Sequence, residues 1–120
     1  QGTITERSKI VEEEARKLNA TILLKSPIDI ISDGVRTRYN RTGNPGMTVG
    51  GTGDVLSGVT AGFMAMGSSP YFAGNAAAFI NGLAGDKVYK RKGYHILPED
   101  LVKEIPFIIE DGIKEKIKRN

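Results

Sequence analysis

Cysteine is absent from the sequence, which excludes disulfides, thiolate metal sites and cysteine nucleophiles together. Histidine occurs once, as His95 between Tyr94 and Ile96 just ahead of an expected helix, a setting that reads as structural rather than catalytic. No apolar run is long enough to span a bilayer and no signal-peptide layout stands at the front, so no membrane role is expected. Excess charge is scarce too, with a formal net charge of +3. Much of the basic surplus sits in Lys114, Lys116, Lys118 and Arg119, interleaved with Ile113 and Ile117. That reads as a solvated helix face, with cations at the end the dipole favours, rather than a nucleic-acid patch.

What is present is the composition of an ordinary soluble protein, 39% hydrophobic and 26% charged. At 120 residues the chain fits one domain with a modest core. It opens on Gln1 rather than methionine, as a cut or processed start would. The sequons at Asn19 and Asn40 read as chance matches, and a cytoplasmic location is expected.

The apolar pattern changes period along the chain. Thr3 and Glu6 have capping-box spacing, and Ile4, Val11, Ala15 and Leu18 then fall on one helical face until Asn19. Thr21-Ile22-Leu23-Leu24 is continuously apolar, which predicts a strand covered on both faces. After Pro27, the run from Ile28 to Ser32 and the alternation of Val35, Thr37 and Tyr39 predict a hairpin turning at Asp33-Gly34. Val55 to Met66 has no polar face, which predicts a buried helix, with Gly58, Ala61, Gly62 and Ala65 admitting close neighbours. A further helix is expected from about Tyr71 to Lys90, and another opens at Pro98-Glu99-Asp100. Pro106 is expected to break or kink that last helix, whose stripe is Ile105, Ile108, Ile109, Ile113 and Ile117. The fold class is therefore α/β.

Between Asn40 and Gly53 lies a glycine-rich connection that feeds directly into a helix. The first amides of a helix have no internal partners and carry its partial positive charge, so such a junction can hold an anion. Gly51, Thr52 and Gly53 can turn several amides toward one point, and phosphate is the natural guest. Neither the Walker pattern nor the dinucleotide fingerprint is present. Asp54 follows at once. A carboxylate beside an anion site either caps the helix or accepts a proton from an attacking hydroxyl while the amides hold developing charge. The glycine density before Asp54 favours the second role.

The run Thr42-Gly43-Asn44-Pro45-Gly46-Met47-Thr48, followed by Gly50-Gly51-Thr52-Gly53-Asp54-Val55-Leu56-Ser57-Gly58, resembles the signature of NAD(P)H-hydrate dehydratases. These are repair enzymes with a ribokinase-like fold. The glycine-Asp ending is shared by many ribokinase-like kinases, whereas the Asn-Pro-Gly-Met segment is narrower. The resemblance covers nearly all of residues 1–120 as the C-terminal portion of one layered αβα domain. It implies that the amides of Gly51, Thr52 and Gly53 host the transferred phosphoryl group, and that Asp54 contacts the hydrated nicotinamide and acts as base. Asn44, Pro45, Gly46, Met47, Thr48, Val49 and Gly50, continuing to Gly53, match the loop that wraps the nucleotide. Lys25, Ser26, Pro27, Ile28 and Asp29 occupy a second nucleotide-binding segment, with Ser26 where glycine is usual. Asn81 is placed either near adenine or in helix packing, and Arg41 near a phosphate or in a surface pair.

The implied cofactors are ADP or ATP with Mg²⁺, for which no protein ligand is named, and the implied substrates are NADHX and NADPHX. Members of the family are much longer than this chain, and their His-Pro-Gly-Glu segment is not in this sequence. Either a missing N-terminal segment or self-association is therefore expected, because an isolated piece of sheet leaves an open edge. Two alternatives stay open: a small-molecule kinase of the same fold, and a non-catalytic nucleotide-binding module.

Overall fold

The computed structural model describes residues 2–119. Helix α1 (Ile4–Leu18) leads to strands β1 (Ile22–Leu24), β2 (Asp29–Ser32) and β3 (Thr37–Asn40). A short 3₁₀ turn (Pro45–Met47) follows, and then helices α2 (Thr52–Ala65), α3 (Pro70–Lys92) and α4 (Pro98–Arg119). The strands form one antiparallel sheet in the order β1-β2-β3, with Leu24 opposite Ile30 and Ile30 opposite Tyr39.

The sheet is sandwiched between helices, because successive residues of β2 point to opposite faces. Ile31 packs with Leu56, Tyr71 and Ala77, from α2 and α3. Tyr39, which shares the face of its partner Ile30, donates to Ser8 Oγ of α1 at 2.8 Å. Both isoleucines are fully buried, so each face of β2 is covered. A second core, built on Ala84, Val88, Ile96, Leu101 and Ile105, joins α3 to α4.

Several local expectations shift. Thr3 caps α1, its Oγ accepting from Glu6 N at 3.1 Å, and Asn19 ends it in the left-handed region. The buried face is Ser8, Val11 and Ala15, while Leu18 is turned to solvent in the last turn. The doubly covered strand is β2 rather than β1, since β1 has a neighbour on one edge only and leaves Leu24 exposed. The hairpin turns one residue later than expected. Asp33 N donates to Arg36 O, so Gly34 and Val35 are central, and β3 begins at Thr37. The Asp33 carboxylate accepts from the backbone N–H of Arg36 and Val35, at 2.7 and 2.9 Å, which holds its pKa down at about 2. Gly34 is required there, with φ +91° and Arg16 Cα 2.8 Å from where a Cβ would sit.

Helix α3 matches its expected span, with Ser69 Oγ accepting from Phe72 N at its start. At the turn into α4, the Lys92 ammonium and the Leu97 N–H both meet the Asp100 carboxylate and hold its pKa below the usual range. Pro106 does not break α4. It lies on the exposed side together with Val102, whose carbonyl loses its helical partner there and can be hydrated. Ile105 and Ile108 are buried and Ile113 is exposed; the side chain of Ile117 lies outside the described residues.

The largest departure is α2, which was expected to be buried. Leu56 is buried and Val55, Val59 and Phe63 are partly so, but Gly58, Ala61, Gly62 and Ala65 face outward. Nothing lies within 4 Å of a Cβ built at Gly58 or Gly62. The apolar pattern of α2 is thus only half matched by neighbours among the described residues. By contrast, Gly82 and Gly85 of α3 are in hard contact with the connection that precedes α2. A Cβ at Gly82 would lie 2.1 Å from Thr42 Oγ1 and 2.6 Å from Thr42 backbone, and one at Gly85 would lie 2.1 Å from Met47 Sδ.

These two kinds of glycine predict opposite responses to alanine. Gly82→Ala is expected to destabilise the chain by about 1–3 kcal/mol through overpacking. Gly58→Ala is expected to stabilise the same chain by up to about 1 kcal/mol, as a helix-interior glycine replaced without obstruction. Urea unfolding of the two variants checks both signs.

Candidate functional site

The residues of the glycine-rich connection are held one by one against α3. Asn40 Nδ2 donates to Asp29 Oδ2 at 3.0 Å and to the Ala78 carbonyl at 3.2 Å. Thr42 Oγ1 lies 3.1 Å from both Asn40 Oδ1 and the Phe79 carbonyl. Asp86 accepts from Gly43 N at 3.1 Å and from Asn44 Nδ2 at 3.0 Å. Asn44 Oδ1 in turn accepts from Gly46 N at 3.0 Å and so caps the 3₁₀ turn. Thr52 Oγ1 donates to Met47 O at 2.7 Å, which brings the first residue of α2 back onto the turn.

A second segment faces this loop. Asp29 is 1% exposed, yet its carboxylate is fully engaged. It accepts from Ser26 N at 3.2 Å, pairs with Lys25 Nζ at 2.9 Å and receives the Asn40 amide. Ser26 Oγ donates to the Ile28 carbonyl. One buried carboxylate therefore ties the Lys25–Pro27 bend to the start of the glycine-rich connection.

Between the two segments lies a cavity of about 560 Å³. Lys25, Ser26 and Pro27 form one wall, and Asn44, Pro45, Met47, Thr48, Val49, Thr52 and Gly53 form much of the other. Ile28, Asp29, Gly46, Gly50, Gly51 and Asp54 are not in the lining. Asp29 works from beneath. Gly46 is buried against Tyr94 and Ile96, with ring and methyl carbons 3.0 Å from a built Cβ. Gly51 has φ +101° and abuts Pro98, whose Cγ would be 2.5 Å from a Cβ, so this position accepts only glycine.

The floor of the cavity is the start of α2. Gly51 is its N-cap and has no side chain to cap it, and among the described residues no acceptor meets the N–H of Thr52, Gly53 or Asp54. Open amides at the positive end of a helix, with the Lys25 ammonium on the opposite wall, suit a polyanionic ligand. Asp54 stands at the third helical position, exposed, and no hydrogen bond or ion pair engages its carboxylate among the described residues. It does not act as the cap. Its exposed carboxylate stands beside the uncapped helix start, and such a pair can take a proton from a hydroxyl while open amides meet developing negative charge.

Sequence reasoning missed some of this. Thr42 and Gly43 also line the cavity, and Asp86 anchors the loop without lining it. The small residues at 78, 82 and 85 mark an α3 face open to close approach, but nothing in the pattern singles out Asp86. Asn81 belongs to helix packing: it is 2% exposed, and its Nδ2 meets the Thr52 carbonyl at 3.5 Å.

The chain is similar to known proteins. A family profile described as NAD(P)H-hydrate dehydratase matches residues 2–107. The bifunctional NAD(P)H-hydrate repair enzyme Nnr of Pyrobaculum aerophilum is 47% identical over 116 residues, which are 97% of this chain and 23% of that enzyme. The ADP/ATP-dependent NAD(P)H-hydrate dehydratase of Bacillus subtilis, co-crystallised with ATP/Mg²⁺ and soaked with CoA, is similar with a TM-score of 0.79 at 25% identity. That similarity covers 89% of this chain and 40% of the other. A ribokinase-like superfamily protein of Enterococcus faecalis gives a TM-score of 0.75 at 34% identity, over 92% and 37% of the two chains. The chain thus spans less than half the length of each of these relatives.

Asp29→Ala would strip an acceptor from the Ser26 N–H, the Asn40 amide and the Lys25 ammonium at once. A loss of about 1–3 kcal/mol is expected from the unsatisfied donors. Denaturant unfolding measures it; a loss below about 0.5 kcal/mol, the range of ordinary surface changes, would mean that this carboxylate is not the tie described.

Proposed function

The chain belongs to the NAD(P)H-hydrate dehydratase family, and from that premise we propose that residues 1–120 form the C-terminal nucleotide-binding and catalytic portion of one ribokinase-like domain. The proposed reaction is the ADP- or ATP-dependent dehydration of NADHX or NADPHX to NAD(P)H, in the cytoplasm. The observation that carries this reading is the uncapped start of α2, which opens into the cavity beside an unengaged Asp54.

Bound nucleotide would supply the phosphoryl group that turns the hydroxyl of the hydrated ring into a good leaving group. The amides at Gly51, Thr52 and Gly53 steady the phosphoryl oxygens as charge develops on them. Asp54 receives the proton of the ring hydroxyl. Lys25, Ser26 and Pro27 close the far wall over the nucleotide, and Asn44 to Val49 wrap its phosphates. Mg²⁺ would enter with the nucleotide phosphates, which it coordinates while keeping several waters. No helix among the described residues is long and apolar enough to cross a membrane.

The outward face of α2 belongs to the same proposal. Its cover is the N-terminal portion of the domain, which the longer relatives have room for and this chain does not span. Light scattering of the chain alone is expected to show a monomer that gains activity when that portion is restored. A stable dimer, active by itself, would instead assign the face to a second copy.

Catalysis is checked by mixing the restored domain with hydrated NADH, Mg²⁺ and ADP or ATP, and following the absorbance of reduced nicotinamide. Nucleotide-dependent recovery is expected. Asp54→Asn should lower the rate on the order of 10²–10⁴-fold while nucleotide binding survives. A stable phosphorylated product in place of recovery would identify a small-molecule kinase, and unchanged turnover in the variant would remove Asp54 as base.

A further inference from the structure

We propose that Asp86 is a positioning residue, which together with Asn44 holds the glycine-rich loop in the shape that receives the nucleotide. The proposal rests on the nucleotide reading of the cavity. Asp86 does not line that cavity and so acts through the loop alone.

Each carboxylate oxygen has its own donor. Oδ2 accepts from Gly43 N at 3.1 Å and Oδ1 from Asn44 Nδ2 at 3.0 Å. Asn44 passes the constraint forward, since its Oδ1 accepts from Gly46 N and starts the 3₁₀ turn. The turn ends at Met47, whose side chain lies on Gly85 and whose carbonyl receives Thr52 Oγ1 at 2.7 Å. A continuous path therefore runs from α3 through the loop to the first residue of α2, where the open amides are. Gly43 has φ +112°, a conformation that few residues hold, and its N–H leads directly to Asp86.

A loop this rich in glycine loses much freedom when it closes on a ligand. Ordering it in advance removes that cost from binding. A carboxylate suits the task because both bonds run toward position 86 and both are charge-assisted. An amide there offers only one acceptor oxygen, so Asp86→Asn turns an N–H donor toward another N–H donor. Asn44→Asp fails differently, by placing carboxylate against carboxylate. The exchanged pair D86N/N44D restores every bond. The amide introduced at 86 accepts from Gly43 and donates to the carboxylate introduced at 44, which still accepts from Gly46.

The test is calorimetric titration of ADP into the wild-type chain, D86N, N44D and D86N/N44D, with amide hydrogen exchange measured without nucleotide. Each single variant is expected to weaken ADP binding about tenfold or more and to speed exchange at Gly43 and Gly46, leaving the α3 amides unchanged. The exchanged pair should return to within about threefold of wild type in exchange at Gly43 and Gly46, which a residue needed only for stability would not show; its ADP affinity stays lower, because Asn44 lines the cavity and the exchange carries a carboxylate onto that wall. D86N binding ADP like wild type, or an exchanged pair whose Gly43 and Gly46 amides exchange as fast as in the singles, would overturn the positioning role while leaving the nucleotide site standing. Faster exchange throughout α3 in the singles would overturn it too. Failure of the wild-type sequence to bind ADP, in this chain and in the restored domain alike, would overturn the reading of the cavity and this assignment with it.

Discussion

The structure depends on how closely the glycine-rich connection can approach α3. Two positions on one face of that helix, Gly82 and Gly85, carry no side chain, and the backbone of Thr42 and the thioether of Met47 occupy the space. Once the connection lies in that trough, the carbonyls of Ala78 and Phe79 and the carboxylate of Asp86 are within reach of its donors. The path from β3 to α2 is then fixed, and with it the place where the free amides of α2 open.

Polar contacts do the finer work. The wall formed by Lys25, Ser26 and Pro27 is irregular chain, with no apolar face to hold it. It keeps its position because Asp29, buried under the sheet end, binds both that bend and Asn40. Both sides of the cavity are thus referred to one carboxylate. Asp54 differs from these tied residues, since no hydrogen bond or ion pair engages its exposed carboxylate among the described residues.

Much of this was legible in the sequence, for local reasons. The Thr3 cap and the Asn19 stop write their own hydrogen bonds into the chain. The uncapped start of α2 followed from glycine density meeting a helix start, and the resemblance pointed to the same residues. What was not legible depends on bond geometry, exposure and distant partners, which residue types alone do not fix. The turn at Gly34-Val35 was set by Asp33 reaching forward, Pro106 was tolerated because its side of α4 is wet, and Asp86 acquired its role only when α3 folded under the loop. The burial expected of α2 and β1 was read from composition, which records every neighbour an element is built for. Among the described residues only part of that apolar surface is met.

The trough in α3 also sets which sequence changes the chain can absorb one at a time. At Gly82 any side chain meets backbone, so a larger residue becomes admissible only after the connection itself has moved, which would carry the walls of the cavity with it. That position is closed to gradual drift. Gly58 and Gly62, by contrast, face nothing in this chain, so the fold described here sets no limit on their size. Tolerance to substitution therefore differs between the two helices of this fold, narrow along the trough of α3 and wide along the outward side of α2.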